Sequence, residues 1–481
     1  MDASSLISTL DDQIGERLES TVVAHHARRL GRLGWGGALT STGAREWWVP
    51  HVPVRHGNSL RVLIDGAQAL PEIERAIAGA QRSVHIAGWH VTPHFRLTDD
   101  PEGPTLREVL ARAAERVPVR VLLWAGPPLP LFSPTRHEVQ EVRDTLCRNS
   151  LVQCELDKRE RTMHCHHEKI VVVDDELAFV GGIDLTDLHG NRNDDSDHPA
   201  EQSLGWHDCA TVMRGPVVRD VAEHFRQRWS EIAGELLPEP PEQPVVGSVA
   251  VQLLRTVPEG TYDFAPKGVF TILDGYLRAL RAAESLIYIE NQFLWSPEVV
   301  DILVAKLLRP PSPEFRMVLV LPKKPNNGKD TTRGQLGRLI GADHSEQLLA
   351  TTVLGSTLES PGVYVHAKVA VIDDRWLTVG SANLNEHSLF NDTEVNVLTC
   401  DRELARDTRL RLWEEHTRRP RAELDGPAHE VVDRVWGAIA EEQARLSERG
   451  LPPTHRIRRI TGLSKRVDRL QGPLRGLLVD G

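Results

Sequence analysis

His167-Glu168-Lys169-Ile170-Val171-Val172-Val173-Asp174 returns later in the chain as His366-Ala367-Lys368-Val369-Ala370-Val371-Ile372-Asp373. Both copies continue in parallel, Phe179-Val180-Gly181-Gly182-Ile183-Asp184 matching Thr378-Val379-Gly380-Ser381-Ala382-Asn383. Upstream, Ser83-Val84-His85-Ile86 resembles Ser285-Leu286-Ile287-Tyr288. Self-similarity on this scale marks an internal duplication. In each copy a segment with apolar residues at helical spacing, Pro71 to Ala80 or Val269 to Ala283, leads into an apolar run, Val84 to Trp89 or Leu286 to Phe293. Second runs follow at Val119 to Trp124 and Met317 to Leu321, and the segments after the two histidines are β-branched and wholly apolar. Such runs suit strands buried on both faces. The expected fold is therefore α/β: two similar lobes, each a mixed β-sheet flanked by helices, with the active site at the lobe interface.

Leu237-Pro238-Glu239-Pro240-Pro241-Glu242-Gln243-Pro244 cannot form a regular element and separates the copies. The expected organisation is a helical leader over 1–50, a first lobe over 51–236, a Pro-rich linker over 237–247, a second lobe over 248–420, and a helical and basic extension over 421–481. The 481 residues carry 57 Lys+Arg against 68 Asp+Glu, a net charge of −11, which argues against a nucleic-acid partner. No apolar run reaches the ~20 residues of a membrane span, and the amino end lacks the basic n-region of a secretory signal. Five cysteines without a CxxC pair suggest neither a disulfide framework nor a cysteine zinc site, and point to a reducing, cytoplasmic compartment. Arg456, Arg458, Arg459, Lys465, Arg466, Arg469 and Arg475, interleaved with apolar residues, form a basic tail that reads as a solvated face, with lipid-surface contact as the alternative. The polar stretch 189–199 lacks the pattern of a calcium loop and reads as an ordinary loop.

Residues two apart on an extended strand share a face, so His167 and Lys169 project together, as do His366 and Lys368. Two copies face to face offer two imidazoles and two ammonium groups. That set suits a phosphodiester: one neutral imidazole attacks phosphorus, the other, protonated, supplies the leaving oxygen with its proton, and the lysines hold the non-bridging oxygens. This chemistry calls for no metal and no cofactor. A nucleophilic imidazole needs a carboxylate on its far nitrogen, for which Asp208 and Glu394 are the candidates. Asp184 and Asn383 belong near the pocket floor, with Ser381 as a further supporting residue, while Asp174 and Asp373 end strands and suit a structural role. His164 and His166 read as pocket wall rather than metal ligands. Trp89, Phe293, Trp295 and Trp376 are expected in the core, with a quaternary-ammonium surface as the alternative. Trp47 and Trp48, placed near the first lobe's entrance, have insertion at a lipid interface as their less favoured reading.

These residues resemble the phospholipase D superfamily, whose HxKxxxxD signature occurs twice per active site. The likeness covers roughly residues 56 to 417. His166-His167-Glu168-Lys169, Trp206-His207-Asp208 and Ile287-Tyr288-Ile289-Glu290-Asn291-Gln292-Phe293 look like segments of the eukaryotic-type, phosphatidylcholine-hydrolysing branch. The resemblance implies a double displacement through a phosphohistidine, with His167 as nucleophile, His366 as acid then base, and Asp208 and Glu394 as histidine-orienting carboxylates. It implies a phospholipid at a membrane surface as partner, a monomer with both motifs in one chain, and water or an alcohol as acceptor. A cardiolipin-synthase-like phosphatidyltransferase is the alternative. A nuclease fits less well, since small nucleases of this kind carry one motif per chain, and the tyrosyl-DNA type lacks the aspartate present here as Asp174 and Asp373.

Overall fold

The computed structural model describes residues 3–40, 47–128, 133–160, 164–188, 205–323, 329–353 and 363–460. The polar stretch 189–199 and the part of the basic tail beyond residue 460 lie outside the described residues.

The first half contributes β1 (Arg55–Ile64), β2 (Val84–Gly88), β3 (Val119–Trp124), β4 (Gln153–Asp157), β5 (Ile170–Val173), β6 (Leu177–Gly181), β7 (Gly205–His207) and β8 (Cys209–Arg214). The second contributes β9 (Val249–Val257), β10 (Val269–Phe270), β11 (Leu286–Asn291), β12 (Arg316–Val320), β13 (Leu348–Val353), β14 (Val363–Val365), β15 (Lys368–Ile372), β16 (Trp376–Gly380), β17 (Glu394–Thr399) and β18 (Ile457–Arg459). The order β1-β8-β6-β5-β2-β3-β4 is repeated as β9-β17-β16-β15-β11-β12-β13. Strand senses repeat as well: β2–β3–β4 and β11–β12–β13 are parallel, and the remaining pairs antiparallel. The duplication is thus one of topology, not of motif alone. Antiparallel pairing of β1 with β9 fuses the halves, so the described strands form one 16-stranded sheet plus the two-stranded β7–β14.

Burial on both sides explains the apolar strands. Along β5, Ile170 and Val172 pack with Val218, Val221 and Phe225 of the helix Val217–Ala233, whereas Val171 and Val173 pack with Ile73 and Ile77 of Asp65–Ala78 and with Val109 of Leu106–Ala114. In β15, Val369 and Val371 meet Trp413 and Trp436, while Ala370 and Ile372 meet Leu277, Leu280 and Leu303. The β-branched side chains fill this doubly covered sheet with little loss of rotamer freedom.

The upstream resemblance needs correction by one residue. Asp174 N–H bonds Ser83 O, and Asp373 N–H bonds Leu286 O, so Leu286, not Ser285, is the counterpart of Ser83. A one-residue slip exchanges the two faces of a strand. Sequence similarity favoured the shared serine, whereas hydrogen-bond register is what the duplication preserved.

The terminal aspartates of both motifs are turn residues. Asp174 and Asp175 have φ of 59° and 56°, Asp373 and Asp374 53° and 46°, and Glu176 N–H and Arg375 N–H close back onto Val173 O and Ile372 O. These are type I′ hairpin turns, where Asp tolerates the left-handed region. Each first aspartate also collects the backbone entering the neighbouring strand: Asp174 accepts from the N–H of Gln81, Arg82 and Ser83, and Asp373 from Glu284, Ser285 and Leu286. Asp373→Ala is expected to cost about 1–3 kcal/mol of stability in denaturant titration, by leaving these donors without their charged acceptor.

The leader belongs to the second half. The helix Ala3–Leu33 brings His26 Nδ1 to 2.6 Å from Glu298 Oε1 and Arg29 to 2.7 Å from Glu259 Oε2. Trp47 is 7% exposed, packs with Leu254, Phe270 and Trp376, and carries Arg375 over its ring. It is a core residue of the second half, not one available for a lipid interface. Trp89, Phe293, Trp295 and Trp376 are likewise buried.

Candidate active site

Neither motif histidine sits in the sheet. Both lie in the extended segment just before β5 or β15, held by the opposite half: His167 N–H bonds Thr393 O, and His366 N–H bonds His207 O. Thr393 immediately precedes Glu394, and His207 immediately precedes Asp208. The backbone bond therefore sets each histidine beside the carboxylate of the other half. His167 Nδ1 lies 3.0 Å from Glu394 Oε1, and His366 Nδ1 lies 2.6 Å from Asp208 Oδ2. With Nδ1–H donating to a carboxylate, Nε2 of each ring is left to do chemistry. The sequence offered both carboxylates but not this crossed pairing, which joins residues 227 and 158 positions apart.

The lysines fold back onto their own motifs. Lys169 Nζ donates to His167 O at 2.7 Å and lies 3.1 Å from Asp184 Oδ2. Lys368 Nζ donates to His366 O and to Gln292 Oε1, the latter at 3.1 Å, and Asn383 Nδ2 donates to the same amide oxygen at 3.3 Å. The aspartate in the first half faces a neutral amide pair in the second. Nothing local to Gln292 marks it as a partner of Lys368; their alignment depends on the β11–β15 register.

The small residues after β6 and β16 answer to the two carboxylates. A Cβ on Gly182 would lie 2.2 Å from Asp208 Oδ1, so only glycine leaves the short aspartate its place. In the other half Ser381 replaces that glycine, and its hydroxyl donates to Glu394 Oε2, while Ser388 Oγ donates to Oε1. Burial pushes the Glu394 carboxyl up to about 8, against the opposing pull of Lys169 and the two hydroxyls.

Beneath each histidine lies a different buried ionic cluster. Glu168, the residue between His167 and Lys169, meets Arg228 and His224, and Arg228 continues to Asp157 at 2.7 Å and Tyr262 at 2.9 Å. Burial alone would raise Glu168, but Arg228 and His224 outweigh it and hold the carboxyl near 2. His166 bridges this cluster to the other half, 3.1 Å from Asp157 and 2.7 Å from Thr393 Oγ1. Under His366, His207 lies 2.6 Å from Glu290, 2.9 Å from Asp65 and 3.1 Å from Glu415. Burial opposes its charge, yet those carboxylates hold the imidazole well above the ordinary histidine range. Trp206 and Tyr364, paired across β7–β14, set their rings at a tilt to His366 with centroid separations of 4.5 and 6.4 Å.

A family model described as "Phospholipase D" matches residues 76–205, and one described as "Cardiolipin synthase, PLD-like domain" matches residues 276–414. The chain belongs to the phospholipase D superfamily. Among curated relatives it is 26% identical to phospholipase D alpha 4 of Arabidopsis thaliana over 72% of this chain and 63% of that protein. It is 25% identical to phospholipase D1 of Schizosaccharomyces pombe over 76% of this chain and 36% of that one, and 25% identical to phospholipase D2 of Bos taurus over 83% and 57%. The chain thus spans roughly one to two thirds of the length of these relatives. Phosphatidylserine synthase of Haemophilus influenzae shares the fold, with a TM-score of 0.51 at 13% identity over 84% of this chain and 96% of that one.

Proposed function

We propose that the chain is a phospholipase D-type phosphodiesterase that cleaves glycerophospholipids such as phosphatidylcholine to phosphatidic acid and free headgroup. The observation that carries this reading is the crossed pair of dyads, His167–Glu394 and His366–Asp208, each with a lysine from its own motif beside it. Nε2 of His167 attacks phosphorus as the bond to the headgroup oxygen breaks, and His366 protonates that oxygen. His366 then takes a proton from water or an alcohol, whose oxygen displaces the imidazole and restores His167. Lys169 and Lys368 stabilise charge on the non-bridging oxygens. Both dyads lie in one chain, so a monomer suffices. No helix among the described residues is long and apolar enough to cross a membrane. In this proposal the protein is cytoplasmic and meets lipid peripherally.

The test presents the purified protein with mixed phosphatidylcholine, phosphatidylethanolamine and phosphatidylglycerol vesicles, with and without ethanol, and follows products by mass. Phosphatidic acid, joined by phosphatidylethanol when ethanol is present, is the expected result. Phosphatidyl transfer to a lipid hydroxyl without phosphatidic acid would favour the phosphatidyltransferase reading, for which the description of the model over residues 276–414 speaks. Absence of turnover on every lipid would overturn both. Gly182→Ala is expected to lower kcat/KM by about 10²-fold or more, because the added methyl displaces the carboxylate that orients His366. Unchanged kcat/KM in a folded variant would show that Asp208 need not stand there.

A further inference from the structure

We propose that His164, His387 and Asp392 form a site for a divalent transition metal of the zinc class, clamping the two halves together beside the His167–Glu394 dyad. His164 Nδ1 lies 3.1 Å from His387 Nδ1 and 3.4 Å from Asp392 Oδ1, and all three potential ligand atoms fall within 4.8 Å of one another. Ligand bonds of about 2.0–2.1 Å at a tetrahedral angle put neighbouring ligand atoms roughly 3.3 Å apart, and the two separations from His164 Nδ1 lie on either side of that value. Two imidazole nitrogens and a carboxylate oxygen are a donor set zinc accepts, with a fourth position left for water.

Two further observations point to a ligand. Asp392 is fully buried; its Oδ1 accepts from Cys165 N–H at 2.9 Å, but its Oδ2 has no hydrogen-bond partner among the described residues. A single shared proton between the imidazoles satisfies one acceptor, whereas a cation satisfies the nitrogens and the carboxylate charge together. The backbone is also built to converge these groups. His387–Asn391 is a single π-helical turn, closed by Asp392 N–H onto His387 O at 2.8 Å, which places His387 and Asp392 on the same side. Such turns recur at functional sites. The side chain of His164 keeps 12% exposure, enough for an ion to enter.

The ion takes no part in phosphodiester cleavage. His164 leads into His167, and Asp392 leads into Glu394, so an ion here fixes the two backbone segments that make the dyad. The test strips the full chain with chelator, adds Co²⁺, and measures bound metal and visible absorption. One equivalent with the intense d–d bands of a four- or five-coordinate ion is expected, with Zn²⁺ competing it away and raising the melting midpoint by at least about 3 °C. His164→Gln, a change at the partly exposed ligand, should fold normally and lose both the bands and the Zn²⁺-induced shift; Asp392→Asn should lose the bands. Equal Co²⁺ binding by wild type and a folded His164→Gln, or no binding by wild type, would overturn the proposal.

Discussion

Replacing His167 or His366 with alanine is expected to lower phosphodiester turnover by at least about 10⁴-fold while the melting midpoint stays within a few degrees. In the proposed double displacement each ring forms or breaks a bond in both half-reactions, so neither loss is shared out among neighbours. The two variants are expected to differ on a p-nitrophenyl phosphodiester, whose leaving group needs no proton. His366→Ala should release one equivalent of nitrophenolate in a burst and then stall, because His167 still attacks but no base activates water. His167→Ala should give no burst. The reverse pattern would exchange the roles of the two histidines, and full turnover by either folded variant would sink the double-displacement reading.

Glu168→Ala is expected to destabilise the protein by about 3–5 kcal/mol at neutral pH, even though the second copy carries alanine at the equivalent Ala367. Ala367 packs in an apolar cluster with Val365, Val369 and Trp413, whereas Glu168 meets the fully buried Arg228 and His224. The folded-state carboxyl is depressed to about 2 from an ordinary value near 4.5. Its contribution is therefore complete above about pH 4.5 and is lost as pH falls through about 2. Denaturant midpoints of wild type and variant should diverge at pH 7 and approach each other near pH 3. A difference under about 1 kcal/mol at pH 7 would show that Arg228 is satisfied without Glu168.

How far the sequence discloses this molecule depends on the range of the interaction. The repeat of His167-x-Lys169 as His366-x-Lys368, and the apolar runs after each, are local and disclosed the duplicated α/β plan and the histidines and lysines of the candidate site. Partnership across the halves is not local. Whether Glu394 serves His167 or His366 is decided by backbone bonds from His167 to Thr393 and from His366 to His207, which no spacing records. The buried role of Glu168 was hidden for the same reason, because Arg228 and His224 reach it from the helix Val217–Ala233. Trp47 lies just before the first lobe in sequence yet packs into the second half, since β1 and β9 run side by side where the halves join. The Ser83–Ser285 match misled because side-chain identity drifts faster than strand register.

The exchange of carboxylates between the halves makes the proposed active centre an obligate composite. A half severed at the proline-rich connection keeps one complete His-x-Lys motif and one carboxylate, but that carboxylate belongs to the missing partner's ring. Catalytic competence is then a second-order property, scaling with the product of the two fragment concentrations, whereas covalent fusion makes it first order. Tethering thereby frees the centre from dilution, and each half can drift in sequence only as fast as the other accommodates it.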